Sequence, residues 1–115
     1  MSAKVNIRHI KGITFLEVSG RITLGEGAVT LRDAIQDAFD TGTKKLVVDL
    51  SSVNYMDSSG VGELTTAYTS SRDNGCELKL LGLTRKIDDL MQITKLATLF
   101  DVYGTEQQAL SSFEN

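Results

Sequence analysis

Lys45-Leu46-Val47-Val48-Asp49-Leu50, followed by Ser51-Ser52-Val53-Asn54-Tyr55-Met56-Asp57-Ser58-Ser59-Gly60-Val61-Gly62, is the stretch in which this chain changes from strand to helix. Leu46 to Leu50 is a short, nearly unbroken apolar run rich in branched residues, which fits a central strand covered on both faces. From Ser58 onward Val61, Leu64 and Tyr68 fall on one face of a helix, and Asn74-Gly75 supplies a left-handed stop. Between the two, Ser51 to Asp57 reads as a loop that leaves the C-terminal edge of the strand and delivers Ser58 to the first helical turn.

Upstream, Val5 and Ile7 alternate with Lys4, Asn6 and Arg8, Lys11-Gly12 marks a hairpin turn, and Ile13 to Ser19 forms the return strand, ending at Gly20. Leu24-Gly25-Glu26-Gly27 breaks that pattern. Ala28, Leu31, Ala34, Ile35, Ala38 and Phe39 then recur at spacings of three and four, a helix closed by Thr41-Gly42. Downstream, Cys76, Leu78 and Leu80 alternate with Glu77 and Lys79 as a strand, and Thr84 caps a helix carrying Ile87, Leu90 and Met91. A short strand around Phe100 to Tyr103 leads to Thr105-Glu106-Gln107-Gln108, which has the residue types of a capping box, and to a last helix bearing Ala109, Leu110 and Phe113. The order ββαβαβαβα predicts one α/β domain over residues 1–115: a mixed sheet opening with an antiparallel hairpin, with parallel crossovers and helices packed on the sheet.

Composition narrows the function. A chain of 115 residues, 41% hydrophobic, buries about two-thirds of its unfolded surface in one core. Twelve basic against fifteen acidic residues give a net charge of −3, which argues against nucleic acid as a partner. One cysteine, Cys76, and one histidine, His9, offer neither an internal disulfide nor a usual zinc set, so no metal and no cofactor are expected. Met1 to Asn6 lacks the apolar core of a signal peptide, and no stretch approaches the roughly 20 apolar residues of a spanning helix. The expectation is a cytoplasmic protein without membrane insertion.

Asp57-Ser58-Ser59-Gly60-Val61-Gly62 admits several readings. Serine and aspartate are common helix caps, and Gly60 with Gly62 lets a helix approach a sheet closely. That leaves unexplained why two hydroxyls and two glycines crowd one turn, where an interior glycine costs about 1 kcal/mol against alanine. A serine hydrolase lacks its partners: Met56 and Asp57 break the nucleophile-elbow spacing, and the histidine base would have to be His9 on the opening strand. The dinucleotide fingerprint fails at Thr65, where its third small residue belongs. A hydroxyl at a helix start can also carry a phosphate that the fold tolerates, so a switch stands beside the plain cap as a reading of this turn, and no enzymatic activity is expected.

Val47 to Gly62 resembles the signature of the STAS domain, shared by bacterial anti-sigma-factor antagonists and sulphate-transporter tails, and the resemblance extends over nearly the whole chain, including Gly20-Arg21-Ile22 and Gln107-Gln108-Ala109-Leu110. It implies a protein that binds an anti-sigma factor with serine-kinase activity, frees a sigma factor indirectly, and is switched off by phosphorylation. The phosphoacceptor it implies is Ser58, with Ser59 as the neighbouring candidate. Asp57 would flank and orient the acceptor, Gly60 would support it, and Thr23 stands where antagonists usually carry an aspartate. Tyr55, Met56, Ser58, Ser59, Val61 and Gly62 are the candidate partner-binding residues, with Tyr55 and Met56 open to a second reading as core beneath the loop. A dianion on Ser58 is expected to rest on free N–H groups at the helix start and leave the fold intact. The alternative is a non-switching STAS module: a scaffold of a stress-sensing assembly or a subunit of a lipid-transport complex. A monomer or weak dimer is expected.

Overall fold

The computed structural model describes residues 3–114; Met1, Ser2 and Asn115, part of the expected 1–115 domain, lie outside the described residues. The elements are β1 (Lys4–Ile10), β2 (Ile13–Ile22), α1 (Glu26–Asp40), β3 (Lys45–Met56), α2 (Ser58–Asp73), β4 (Glu77–Leu81), α3 (Arg85–Ile93), β5 (Val102–Tyr103) and α4 (Glu106–Ser111). They form a five-stranded sheet in the order β1-β2-β3-β4-β5, antiparallel at β1–β2 and parallel elsewhere. The expected element order and mixed sheet are present.

Local chemistry sets the element ends. Lys11 and Gly12 both take positive φ, 53° and 78°, and Ile10 pairs with Ile13, so the hairpin turns in two residues with the twist its strands require. Thr84 accepts from the Ile87 N–H at 3.4 Å and caps α3. Thr105 accepts from the Gln108 N–H at 3.2 Å, while the Gln108 side chain accepts from Gly104, one residue before the cap that a capping box would engage.

Two strands are longer than expected, and the difference relocates the site. β2 does not stop at Gly20 but runs to Ile22, and β3 does not stop at Leu50 but runs to Met56. Ser19 to Ile22 pairs with Ser52 to Met56 across register shifts between Glu17 and Ser19 and between Gly20 and Arg21. These irregularities bend the pair, and they allow a polar stretch such as Ser51-Ser52-Val53-Asn54 to remain strand with Val53 and Met56 buried. The expected Ser51–Asp57 loop is therefore absent: Asp57 alone separates strand from helix.

The two faces of the sheet are covered unequally. Leu16, Val18, Ile22, Leu46, Val48 and Leu50 lie in a core with Leu31 and Ile35 of α1, Val61 and Leu64 of α2, and Ile87 and Met91 of α3. On the other face Ile13, Phe15, Val47 and Leu81 pack beneath Ala109 and Phe113, with Ile10, Tyr103 and Leu110 at the margin. Lys79, expected on a wet face of β4, is buried there: its Nζ donates to the Ser112 carbonyl and hydroxyl at 3.1 and 3.0 Å and sits 4.3 Å from the Phe113 ring centroid. Among the described residues no helix is long and apolar enough to cross a membrane.

Candidate functional site

The paired ends of β2 and β3 project the start of α2 to one pole of the molecule. Ile22 pairs with Met56, and the Asp57 N–H donates to the Ile22 carbonyl at 3.1 Å, so the strand pair stays closed to its last residue. Two glycines permit the close approach of both helices to this corner. A Cβ on Gly27 would lie 2.3 Å from the Arg21 carbonyl oxygen; one on Gly60 would lie 2.6 Å from Met56 Cγ and 2.8 Å from Ile22 Cγ2. Gly60 is a packing residue.

Gly62 is different. It is exposed, and a Cβ there would meet nothing within 4 Å. Nothing within the fold requires this glycine, yet it sits four residues after Ser58, on the same helical face and one turn along. The pole thus presents bare backbone beside a hydroxyl.

Asp57 joins three pieces of chain at this pole. Its Oδ1 accepts from the Ser59 N–H at 2.9 Å and the Gly60 N–H at 3.4 Å, and its Oδ2 accepts from the Leu24 N–H at 3.1 Å. Desolvation pushes the carboxyl up, but the donations from Leu24, Ser59 and Gly60 and from the Ser59 hydroxyl outweigh it and hold the group below its ordinary value. Asp57 is an ionised N-cap that also pins the loop between β2 and α1.

These bonds distinguish the two serines. Ser59 is half-buried and its N–H donates to Asp57, whereas Ser58 is exposed and its hydroxyl has no hydrogen-bond partner among the described residues. Of the N–H groups expected to be free for a phosphate, three are not: Ser59 and Gly60 donate to the Asp57 side chain, and Gly60 and Val61 to its carbonyl, which leaves the Ser58 N–H as the one without an acceptor among the described residues. A group on Ser58 Oγ points instead into solvent beside an existing negative charge.

The remaining expected residues divide by burial. Met56 is 6% exposed and Val61 2%, both part of the larger core, so these two do not belong to an outer docking surface as expected; the alternation of β3 and the stripe of α2 turn them inward. Tyr55 is 40% exposed and points to the opposite sheet face from Met56, with the Arg21 guanidinium 4.6 Å from its ring centroid. Thr23 is half-buried, its carbonyl accepting from the Ala28 N–H at 3.0 Å, in the loop that Asp57 holds through Leu24.

Leu24 and Val29 were not singled out by the sequence, yet they stand exposed at the starts of the loop and of α1, Leu24 by 82%. The available signal was a leucine inside a glycine-rich break, with no strand or helix period to bury it. Arg32 of α1 reaches Glu63 of α2 at 3.5 Å, which makes the outer faces of the two helices one continuous surface.

Other singled-out groups lie elsewhere. His9 pairs with Thr14 near the hairpin turn, eight residues along β2 from Ile22, or about 26 Å at the usual strand rise, too far to serve Ser58 as a base. Cys76 is buried, and desolvation pushes its thiol up to about 11, which leaves it an inert packing group. α3 begins beside Ser51 and Gly82, five residues of strand short of Met56.

Comparison with known proteins fits this geometry. The STAS domain family model matches residues 4–109, and the chain belongs to that family. It is 38% identical over 61 residues to an anti-sigma-B factor antagonist of Listeria monocytogenes, covering 53% of this chain and 54% of that protein. The match thus spans about half the length of that relative. An anti-sigma-B factor antagonist of Staphylococcus aureus is 35% identical over 77 residues, 66% of this chain and 71% of its own. Among solved structures, one described as a putative anti-sigma factor antagonist from Thermotoga maritima superposes with a TM-score of 0.88 at 19% identity, covering 96% of this chain and 95% of the other.

Proposed function

We propose that this protein is an anti-sigma-factor antagonist that docks an anti-sigma factor with serine-kinase activity through the pole around Ser58, and that phosphorylation of Ser58 ends the docking. The observation that carries the reading is the pairing of an exposed, unengaged Ser58 hydroxyl with the exposed backbone of Gly62 one turn on. The helix gives up about 1 kcal/mol at such a glycine, and close approach of a partner supplies a reason for it. The relatives named as anti-sigma-B factor antagonists support the same class of partner.

The docking surface in this reading comprises Leu24, Val29, Ser58 and Gly62, with Tyr55 at its margin. Apolar Leu24 and Val29 gain by leaving water, and neutral Ser58 is desolvated at modest cost. A phosphate adds about −1.5 to −2 charge next to ionised Asp57, with the Ser59, Gly60 and Val61 amides already spent and the Ser58 N–H alone left to meet it. In solvent that charge is hydrated and the fold is unaffected. Against a partner it must lose its water without a cradle, so binding is lost.

The test is incubation with ATP and a candidate anti-sigma kinase, followed by intact-mass analysis and mapping. One phosphate, on Ser58, is the expected result; none, or one on Ser59, contradicts it. Thr23, standing where antagonists usually carry an aspartate, favours a second reading: a STAS module that docks without being phosphorylated, as a scaffold or a transport-complex subunit. In that case the same experiment returns an unmodified protein that still binds.

A further inference from the structure

We propose that β1 is a self-association edge, through which a second copy of this chain adds its own β1 antiparallel about a two-fold axis at Ile7. β1 lies at the sheet's edge, and no strand pairs with its outer side among the described residues. Edge strands are normally blunted by proline, bulges, shortness or charged side chains, and of these β1 has only Lys4 at its outer end and Arg8, which is paired with Glu17 and Glu106. This one has seven residues, pairs with β2 in unbroken register, and carries Ile7, 58% exposed, at its midpoint.

The hairpin register determines which backbone groups face outward. Ile10 and Ile13 flank a two-residue turn and exchange hydrogen bonds, so the bonded pairs continue at Arg8, Asn6 and Lys4. The N–H and C=O groups of Val5, Ile7 and His9 therefore point away from β2, evenly spaced about Ile7. An antiparallel copy centred there places Ile7 against the partner's Ile7, and Val5 against the partner's His9, with every outward group paired.

Charge selects this register. Centred on Ile7, Asn6 opposes Arg8 and Lys4 opposes Ile10, so no like charges meet. Sliding one strand by two residues puts Lys4 opposite Arg8 in one direction and Arg8 opposite Arg8 in the other, both destabilising for directly opposed residues. Arg8 is in addition held by Glu17, at 2.8 Å, and by Glu106, which turns its charge away from the edge. On the α1 side a groove of about 400 Å³, lined by Ile7, His9, Leu16, Ala34 and Ala38, leaves the Ile7 side chain uncovered by its own helix. A second copy is the occupant because the edge complements itself.

The arrangement leaves the Ser58 pole free. Lys4, where β1 begins, pairs with Ser19, so β2 continues past it to Ile22 and the edge and the pole do not overlap.

Sedimentation velocity on the full chain from roughly 5 to 200 μM reads the equilibrium by mass action. The native protein is expected to shift from monomer to dimer over this range. Ile7→Lys, which sets two ammonium groups on the axis, and Ile7→Pro, which removes an N–H that bonds nothing in β2, are each expected to weaken association at least about tenfold. Amide exchange on the native protein supplies a readout without mutation: Val5, Ile7 and His9 should exchange more slowly as concentration rises. A native protein that stays monomeric overturns the proposal, as do variants that dimerise like the native chain or edge amides whose exchange ignores concentration.

Discussion

Among the helices that start at the C-terminal ends of parallel strands, α2 after β3 and α3 after β4 are built differently. α3 is closed by a neutral cap, Thr84, that accepts one N–H at 3.4 Å, and its first turn continues with exposed Arg85 and Lys86. α2 is closed by an ionised cap, Asp57, that accepts three backbone N–H groups, one of them from the loop between β2 and α1. A helix start needs only one good cap. The additional bond to Leu24 does not serve α2; it fixes the exposed loop beside Ser58. In the proposed docking, this end, built to a higher standard than its helix requires, is the pole the partner meets.

The contrast is sharpest at the packing glycine. Gly60→Val should lower stability by about 2–3 kcal/mol, since its methyls would meet Met56 and rigid Ile22, and thermal denaturation should show a correspondingly lower midpoint. A midpoint near native would mean that α2 does not sit close to the strand ends.

Asp57→Asn should cost about 1–2 kcal/mol at neutral pH, and Thr84→Ala about 1 kcal/mol or less. Urea titrations compare them directly, and only Asp57→Asn should also reduce partner binding, by freeing the loop at Leu24. The pH dependence has a fixed sign. The Asp57 carboxyl titrates below its ordinary 3.8 in the fold, so its contribution is present above that value and disappears as pH falls through the folded value. The gap between native and Asp57→Asn should close as pH falls below the ordinary carboxyl value of 3.8, while the Thr84→Ala gap stays level.

The smallest effect runs the other way. Gly62→Ala should stabilise the fold by up to about 1 kcal/mol, because the added methyl meets nothing, and should weaken partner binding. Stabilisation without loss of binding would remove the functional account of this glycine.

Much of this was legible in the sequence, for identifiable reasons. Lys11-Gly12, Thr84 and Thr105 act through bonds to residues nearby, and local chemistry predicts them. β3 beyond Leu50 was not legible, because Ser51, Ser52 and Asn54 are poor strand formers and their pairing comes from β2, some thirty residues upstream. The burial of Lys79 was not legible either, because α4, which covers it, lies some thirty residues downstream. At the site, residue types and the family signature pointed to Ser58 and Asp57 and ranked Ser58 above Ser59, but only geometry turned Met56 and Val61 inward and brought Leu24 to the surface.

The switch itself is tested most directly by titrating one anti-sigma kinase partner against Ser58→Ala and Ser58→Asp, with thermal midpoints measured on the same samples. The account expects Ser58→Ala to bind like the native protein and Ser58→Asp to bind at least about tenfold more weakly, with both midpoints within a few degrees of native. Equal affinities for the two variants would contradict it.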